Sequence, residues 1–246
     1  MLYLNRLCGM VHCGMSMLFN MKSNLKAIDD AFIVHYRKLL EIQKNVFQEC
    51  KEYNFDLDRH EITQAVHDRM SAFWDFHVYN AKQILDRRIN TGGADFFTET
   101  CLLFLKAYFE QKYNVIVTSE KSLLKRGNSM RPDISIWTEG YGEVLAVIEL
   151  KVNDGWKGKN IMTHLKDRED KIKALYPNSF FGVIAFWNFF DTSTLNIDWR
   201  TKYVGLYRYD RYDRHEKTNG YIEDIMKNIE LVLPQNLAKL KEVCAV

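Results

Sequence analysis

From Asn24 to Tyr53 the apolar residues fall at Leu25, Ile28, Phe32, Tyr36, Leu39, Val46, Phe47 and Cys50, with spacings of three and four dominant and no Pro or Gly between them. That period predicts a long amphipathic helix. The stretch NFDLDRHE interrupts it. A second helix is expected from about Glu61 to Ile89, with Ile62, Val66, Met70, Phe73, Trp74, His77, Ile84 and Leu85 on its apolar side. The two helices together predict an antiparallel hairpin. The run NTGGAD ends it, Gly92 and Gly93 being suited to a helix stop and a change of direction.

Beyond Asp95 the rhythm changes. A helix is expected over Asp95–Lys112 and a strand over Asn114–Ser119. Residues 131–152, RPDISIWTEGYGEVLAVIELKV, read as a β-hairpin: two runs rich in Ile, Val and Leu around a Gly-containing turn. Lys157–Leu175 reads as a helix closed by Pro177. Phe180–Phe190 is a continuous apolar run, as in a strand buried on both faces. A strand at Lys202–Tyr209 and a C-terminal helix at Gly220–Val243, broken at Pro234, complete the chain. The order from Asp95 is α-β-β-β-α-β, an α/β core behind a helical hairpin. Three segments follow: 1–21 at the N-terminus, 22–91 as the helical hairpin, and 92–246 as the core with its C-terminal helix. The first segment is apolar but interrupted by Asn5, Arg6 and His12, which makes it a poor membrane span. Met21 is a plausible alternative start, and would leave the first twenty residues without a structural role.

Composition narrows this picture only a little. A chain of 246 residues with 47% hydrophobic and 27% charged residues is an ordinary globular protein with enough apolar surface for a sizeable core. A net charge of +2 supplies no global field toward polyanions, so any such binding rests on local clusters. Five scattered cysteines argue for a reducing, intracellular, cytoplasmic setting over a disulfide scaffold. Cys8, His12 and Cys13 do not make up a four-ligand zinc site. No P-loop, dinucleotide fingerprint, H-E-x-x-H or G-x-S-x-G occurs.

The hairpin carries charge where a buried strand should be apolar: Asp133 in the first arm, Glu149 and Lys151 in the second. Residues two apart share a strand face, so Glu149 and Lys151 project together. If the turn EGYGE is symmetric about Tyr141, Asp133 lies opposite Glu149, with Cβ atoms roughly 4.5–5.5 Å apart. Carboxylates that close repel unless a cation or a proton lies between them. A one-residue slip or a bulge would send Asp133 to the other face. Carboxylate and carbonyl oxygens are the donors Mg²⁺ prefers, and a neighbouring lysine can stabilise charge that develops in a transition state. Glu99, early in the preceding helix, is a further candidate acid; dipole compensation is its simpler reading. Glu120 competes with it from the start of a loop. The plainest alternative for the whole set is a structural salt bridge.

Pro132-Asp133, fifteen intervening residues, then Glu149-Leu150-Lys151 resembles the PD-(D/E)XK nuclease superfamily, and the α-β-β-β-α-β order resembles its restriction-endonuclease-like core, a mixed central sheet flanked by helices. The resemblance covers about residues 95–190. It implies that Asp133 and Glu149 are metal-binding carboxylates, the Leu150 backbone carbonyl a further ligand, Lys151 the catalytic lysine and Glu99 the acid of the preceding helix. It implies Mg²⁺, replaceable by Mn²⁺, and a DNA endonuclease of the type II restriction or antiviral defence kind, with RNA open as a substrate. No Q-x-x-x-Y stands on the following helix, where HLKDREDK is found, which sets the chain apart from the recombination-exonuclease branch. Cutting both strands implies a homodimer, with the helical hairpin serving dimerisation or target contacts. Lys125, Arg126, Arg131, Lys157 and Lys159 flank the motif and suit phosphate contacts, and YRYDRYDRHEK (207–217) suits base stacking and backbone contacts. Two other readings stand beside this one. The first is a catalytically inactive nuclease-like module that binds nucleic acid or protein. The second is a soluble α/β protein with structural hairpin charges.

Overall fold

The computed structural model describes residues 25–80, 84, 92–124, 129–152, 161–188, 190, 195–208 and 216–239. The chain divides into two compact units, one up to Glu49 and one from Cys50 onward. The first is represented by most of helix α1 (Leu25–Glu52), on which Phe32 stacks against Tyr36. The second unit holds helices α2 (Glu61–Trp74), α3 (Gly92–Lys112), α4 (Ile161–Leu175), α5 (Ile197–Arg200) and α6 (Ile222–Val232). Its strands are β1 (Val115–Ser119), β2 (Ile134–Thr138), β3 (Val144–Lys151), β4 (Phe180–Asn188) and β5 (Tyr203–Arg208).

The five strands form one mixed sheet in sequence order. β1, β2 and β3 are antiparallel neighbours, and β3, β4 and β5 run parallel. The parallel pairs need crossovers, supplied by α4 between β3 and β4 and by the segment with α5 between β4 and β5. β3 is buried along its whole length until Lys151, as its run of Val, Leu, Ala and Ile requires.

Period-2 alternation separates two apolar layers. Val147, Phe181, Val183 and Ala185 pack with Leu165 and Ile172 of α4 and with Trp199 of α5. On the other face Phe186 meets Phe97 of α3, and Gly182 lies against Ile225 of α6. Helix α2 buries Ile62, Val66 and Met70 and contacts α3 and α6, so it is packed within the second unit. A π-helical turn, Asp75–Asn80, follows it.

Gly92 and Gly93 open α3, and the end of the expected preceding helix at about Ile89 lies outside the described residues. A Cβ on Gly93 would come within 3.2 Å of the Trp74 ring, so this glycine admits a tertiary contact. The hairpin turn is a short 3₁₀ segment, Glu139–Tyr141, with Gly140 at φ 73° and Tyr141 at φ 61°. Pro234 ends α6 and is followed by a 3₁₀ turn at Gln235–Leu237.

Two helix starts are joined side by side. Helix α2 begins after His60, whose own side chain makes no cap hydrogen bond. The fully buried Glu223 carboxylate instead accepts the backbone N–H groups of Ile62 (2.8 Å) and Thr63 (3.0 Å). Thr63 Oγ1 donates to the same carboxylate and accepts the Ile222 N–H at 2.8 Å, capping α6 in return.

Candidate active site

The register of the charged hairpin is Ile134 opposite Ile148, Ser135 opposite Val147 and Ile136 opposite Ala146. One step further places Asp133 across from Glu149. A register shift between Ile136 and Trp137 decides this pairing: Trp137 faces Val144 but Ile136 faces Ala146, and without the extra residue in β3 the register from the turn would have set Asp133 opposite Ile148. Val147 belongs to the layer under α4, and alternation puts Glu149 and Lys151 on that same face.

Asp133 is anchored by its neighbours. Its carbonyl accepts a hydrogen bond from Ser119 Oγ at 2.7 Å, and the Pro132 carbonyl accepts the Glu120 N–H at 3.1 Å. Its carboxylate Oδ2 accepts the Leu150 N–H at 2.6 Å. Glu149 is 2% exposed, and both of its oxygens face cations: Lys151 Nζ lies 3.0 Å from Oε2 and Arg168 Nε 2.6 Å from Oε1. A buried carboxylate demands such pairing. Lys151 Nζ also reaches Asp133 Oδ2 at 3.3 Å and the Leu150 carbonyl at 3.1 Å. The ammonium therefore stands among three oxygens: Asp133 Oδ2, Glu149 Oε2 and Leu150 O.

Arg168 comes from α4, in the HLKDREDK stretch. Besides Glu149 it donates through Nη2 to the Arg131 carbonyl at 3.1 Å, which ties the helix to the segment that delivers Asp133. Glu120 begins the loop after β1 with φ 53°, a left-handed conformation uncommon outside glycine. Burial, and then the charges of Asp133 and Glu149, raise its carboxyl above the usual carboxylate range. Glu120 therefore feels the site. Glu99 is exposed on α3, and no hydrogen bond or ion pair joins it to the cluster among the described residues. Arg131 is exposed beside the site; Lys125, Arg126, Lys157 and Lys159 lie outside the described residues.

The oxygens around Lys151 Nζ are the ones the sequence offered as metal ligands. They are hard donors, two carboxylates and a backbone carbonyl, and they already converge on a cation, so their chemistry suits a hard divalent ion. Among the described residues no group of three or more His, Cys, Asp or Glu side chains is placed to hold a metal. A metal at this point would rely on the two carboxylates, the carbonyl and water, and would compete with Lys151.

Arg168 was not singled out from sequence, because its approach depends on how α4 rotates over the sheet and no spacing rule encodes that. Glu120 was visible as a competing acid; the pairing of its N–H with Pro132 is what brings it near. The fold and site thus define an α/β protein with a mixed five-stranded sheet and an ion-paired Asp–Glu–Lys–Arg cluster at the end of its central strands. Comparison with models of protein families, with curated proteins and with solved structures finds no match to this chain.

Proposed function

We propose that the chain is a metal-dependent phosphodiesterase, a DNA endonuclease of the restriction or defence type with a restriction-endonuclease-like core. One observation carries this reading: Lys151 Nζ lies within 3.3 Å of Asp133 Oδ2, Glu149 Oε2 and Leu150 O, an acid–acid–lysine set gathered at one point. Asp133, Glu149 and the Leu150 carbonyl would hold Mg²⁺, which when bound polarises a phosphoryl oxygen and lowers the pKa of water. Hydrolysis adds water oxygen to phosphorus, breaks one P–O ester bond and passes a proton to the departing alcohol. Lys151, released from its carboxylates, neutralises the extra negative charge on the phosphoryl oxygens. Arg168 holds Glu149 in place and Arg131 reaches flanking phosphate. Incubating supercoiled plasmid, linear duplex and RNA with the protein in Mg²⁺ or in EDTA tests this. Cutting in Mg²⁺ alone supports it, and intact nucleic acid in both conditions counts against it.

A second reading draws on a different observation. Both oxygens of Glu149 are already taken by Lys151 and Arg168, as in a structural ion cluster or an inactive nuclease-like binding module. A Mn²⁺ titration separates the two readings. A metal-dependent rise in melting temperature favours the enzyme, and none favours the structural cluster.

A further inference from the structure

At the level of Asp133 and Glu149 the neighbouring strand β1 comes to its end, and the residue that follows it is Glu120. Three hydrogen-bonding groups fix how the chain leaves the strand there. The Ser119 hydroxyl donates to the Asp133 carbonyl at 2.7 Å, and the Glu120 N–H passes on to the Pro132 carbonyl at 3.1 Å. Ser119 stands opposite Ile134, so an unbroken ladder would have given the Asp133 carbonyl to the Glu120 N–H. The pairing slips by one residue instead, and Glu120 takes φ 53°, a conformation costly to a residue with a Cβ.

The side chain is held against like charge as well. Burial, and then the charges of Asp133 and Glu149, raise its carboxyl, while Arg131 and Arg168 act in the opposite sense. Among the described residues the Glu120 carboxylate makes no hydrogen bond or ion pair of its own. The cation next to it in the chain, Lys121, turns to the Tyr141 ring, with Nζ 3.8 Å from the centroid. A strained backbone and an unpaired acid beside two others both lower stability, which marks a group kept for chemistry.

That chemistry is open to Glu120 and closed to its neighbours. Lys151, an ammonium between two carboxylates, has no lone pair, and neither has the Arg168 guanidinium. Both Glu149 oxygens accept from these cations, and Asp133 Oδ2 accepts the Leu150 N–H. Glu99 lies two residues from Phe97, which packs on Phe186 at the opposite face of the sheet. Glu120 is exposed, so a proton it accepts can pass on to solvent.

We propose that Glu120 is the general base of the site and accepts a proton from the water that attacks phosphorus. The water oxygen forms the new P–O bond, one ester P–O bond breaks, the departing alkoxide takes a proton from solvent, and Glu120 returns its own to solvent. The inference rests on the hydrolytic reading of the Asp–Glu–Lys–Arg cluster.

Single-turnover plasmid cleavage in Mg²⁺, calorimetric Mn²⁺ titration and melting curves of wild type, Glu120→Gln and Glu120→Gly test it. In both variants cleavage falls at least ~100-fold, the ordinary loss for a general base. Mn²⁺ affinity stays within about fivefold of wild type, because Asp133, Glu149 and the Leu150 carbonyl are untouched. Melting temperatures equal or exceed that of wild type, since a like charge is removed and glycine adopts positive φ freely. Glu120→Gln that cuts at the wild-type rate, loses Mn²⁺ binding or melts well below wild type overturns the inference and leaves the hydrolytic reading in place. So does a loss of cutting in Glu99→Gln with none in Glu120→Gln. A wild type that cuts neither plasmid, linear duplex nor RNA overturns both.

Discussion

Lys151 resolves the charge problem posed by Asp133 and Glu149, and at the same time fills the point where their oxygens meet. Removing it should therefore have two opposite effects. In Lys151→Met, hydrolysis should fall at least ~100-fold, the usual loss for a group that stabilises transition-state charge. Mn²⁺ affinity should rise about tenfold, because the protein's own cation no longer competes; one charge contact is easily worth the ~1.4 kcal/mol involved. Arg168→Ala leaves Glu149 Oε1 buried without its cation. Denaturant melts should show a loss of about 3–5 kcal/mol, and Arg168→Lys should restore only part of it, for lack of the guanidinium fork. A wild-type midpoint for Arg168→Ala would remove the clamp from the account. At this scale the sequence was informative where a short period governs: alternation put Glu149 and Lys151 on one face, whereas the pairing of Asp133 with Glu149, expected from a turn symmetric about Tyr141, is reached through the register shift at Ile136/Trp137. It was silent on Arg168, whose contact is set by the packing of α4.

At the scale of elements, the helix starts are cross-braced. Glu223 is three-fold hydrogen-bonded to residues 62 and 63, more than 150 positions away in the chain, so no local capping motif could reveal it. Glu223→Ala should cost about 2–4 kcal/mol, since two helix N–H groups and the Thr63 hydroxyl lose their partner together. The same helix carries a pH response. His67 titrates near 6.5 in the unfolded chain and near 4 in the folded one, so protonation favours unfolding. Its contribution is complete above about pH 6.5 and is lost as the pH falls toward 4. The loss amounts to about 2 kcal/mol at pH 5. In His67→Leu that part of the pH dependence should vanish from the melting curves. The apolar periods predicted α1, α4 and all five strands close to their places, and the start of α2, whose α-helical run ends at Trp74 before a π-helical turn where a helix to Ile89 was expected. They did not reveal that Gly92 and Gly93 begin α3, because a close contact such as that of Gly93 with the Trp74 ring is not encoded in a period.

For the molecule as a whole, the strand order β1 to β5 follows the chain, a topology the element order along the sequence did not specify. No described helix is long and apolar enough to cross a membrane. Phe32 and Leu39 of α1 are 64% and 60% exposed. An enzyme that cuts both strands brings two sites together, so sedimentation of the full chain should give a dimer mass, and Leu39→Glu should shift it toward the monomer. A monomer at every concentration would leave α1 without that role and would limit each encounter to one strand.

The central claim is that the Asp133–Glu149–Lys151 cluster hydrolyses phosphodiesters, and its most direct measurement is a plasmid-cleavage time course in Mg²⁺ for wild type beside Lys151→Met. The expected result is cutting by wild type that EDTA stops and that Lys151→Met, shown to be folded by its circular dichroism spectrum at the assay temperature, fails to perform. Equal cutting by the two proteins, or none by wild type on plasmid, linear duplex and RNA, would contradict it.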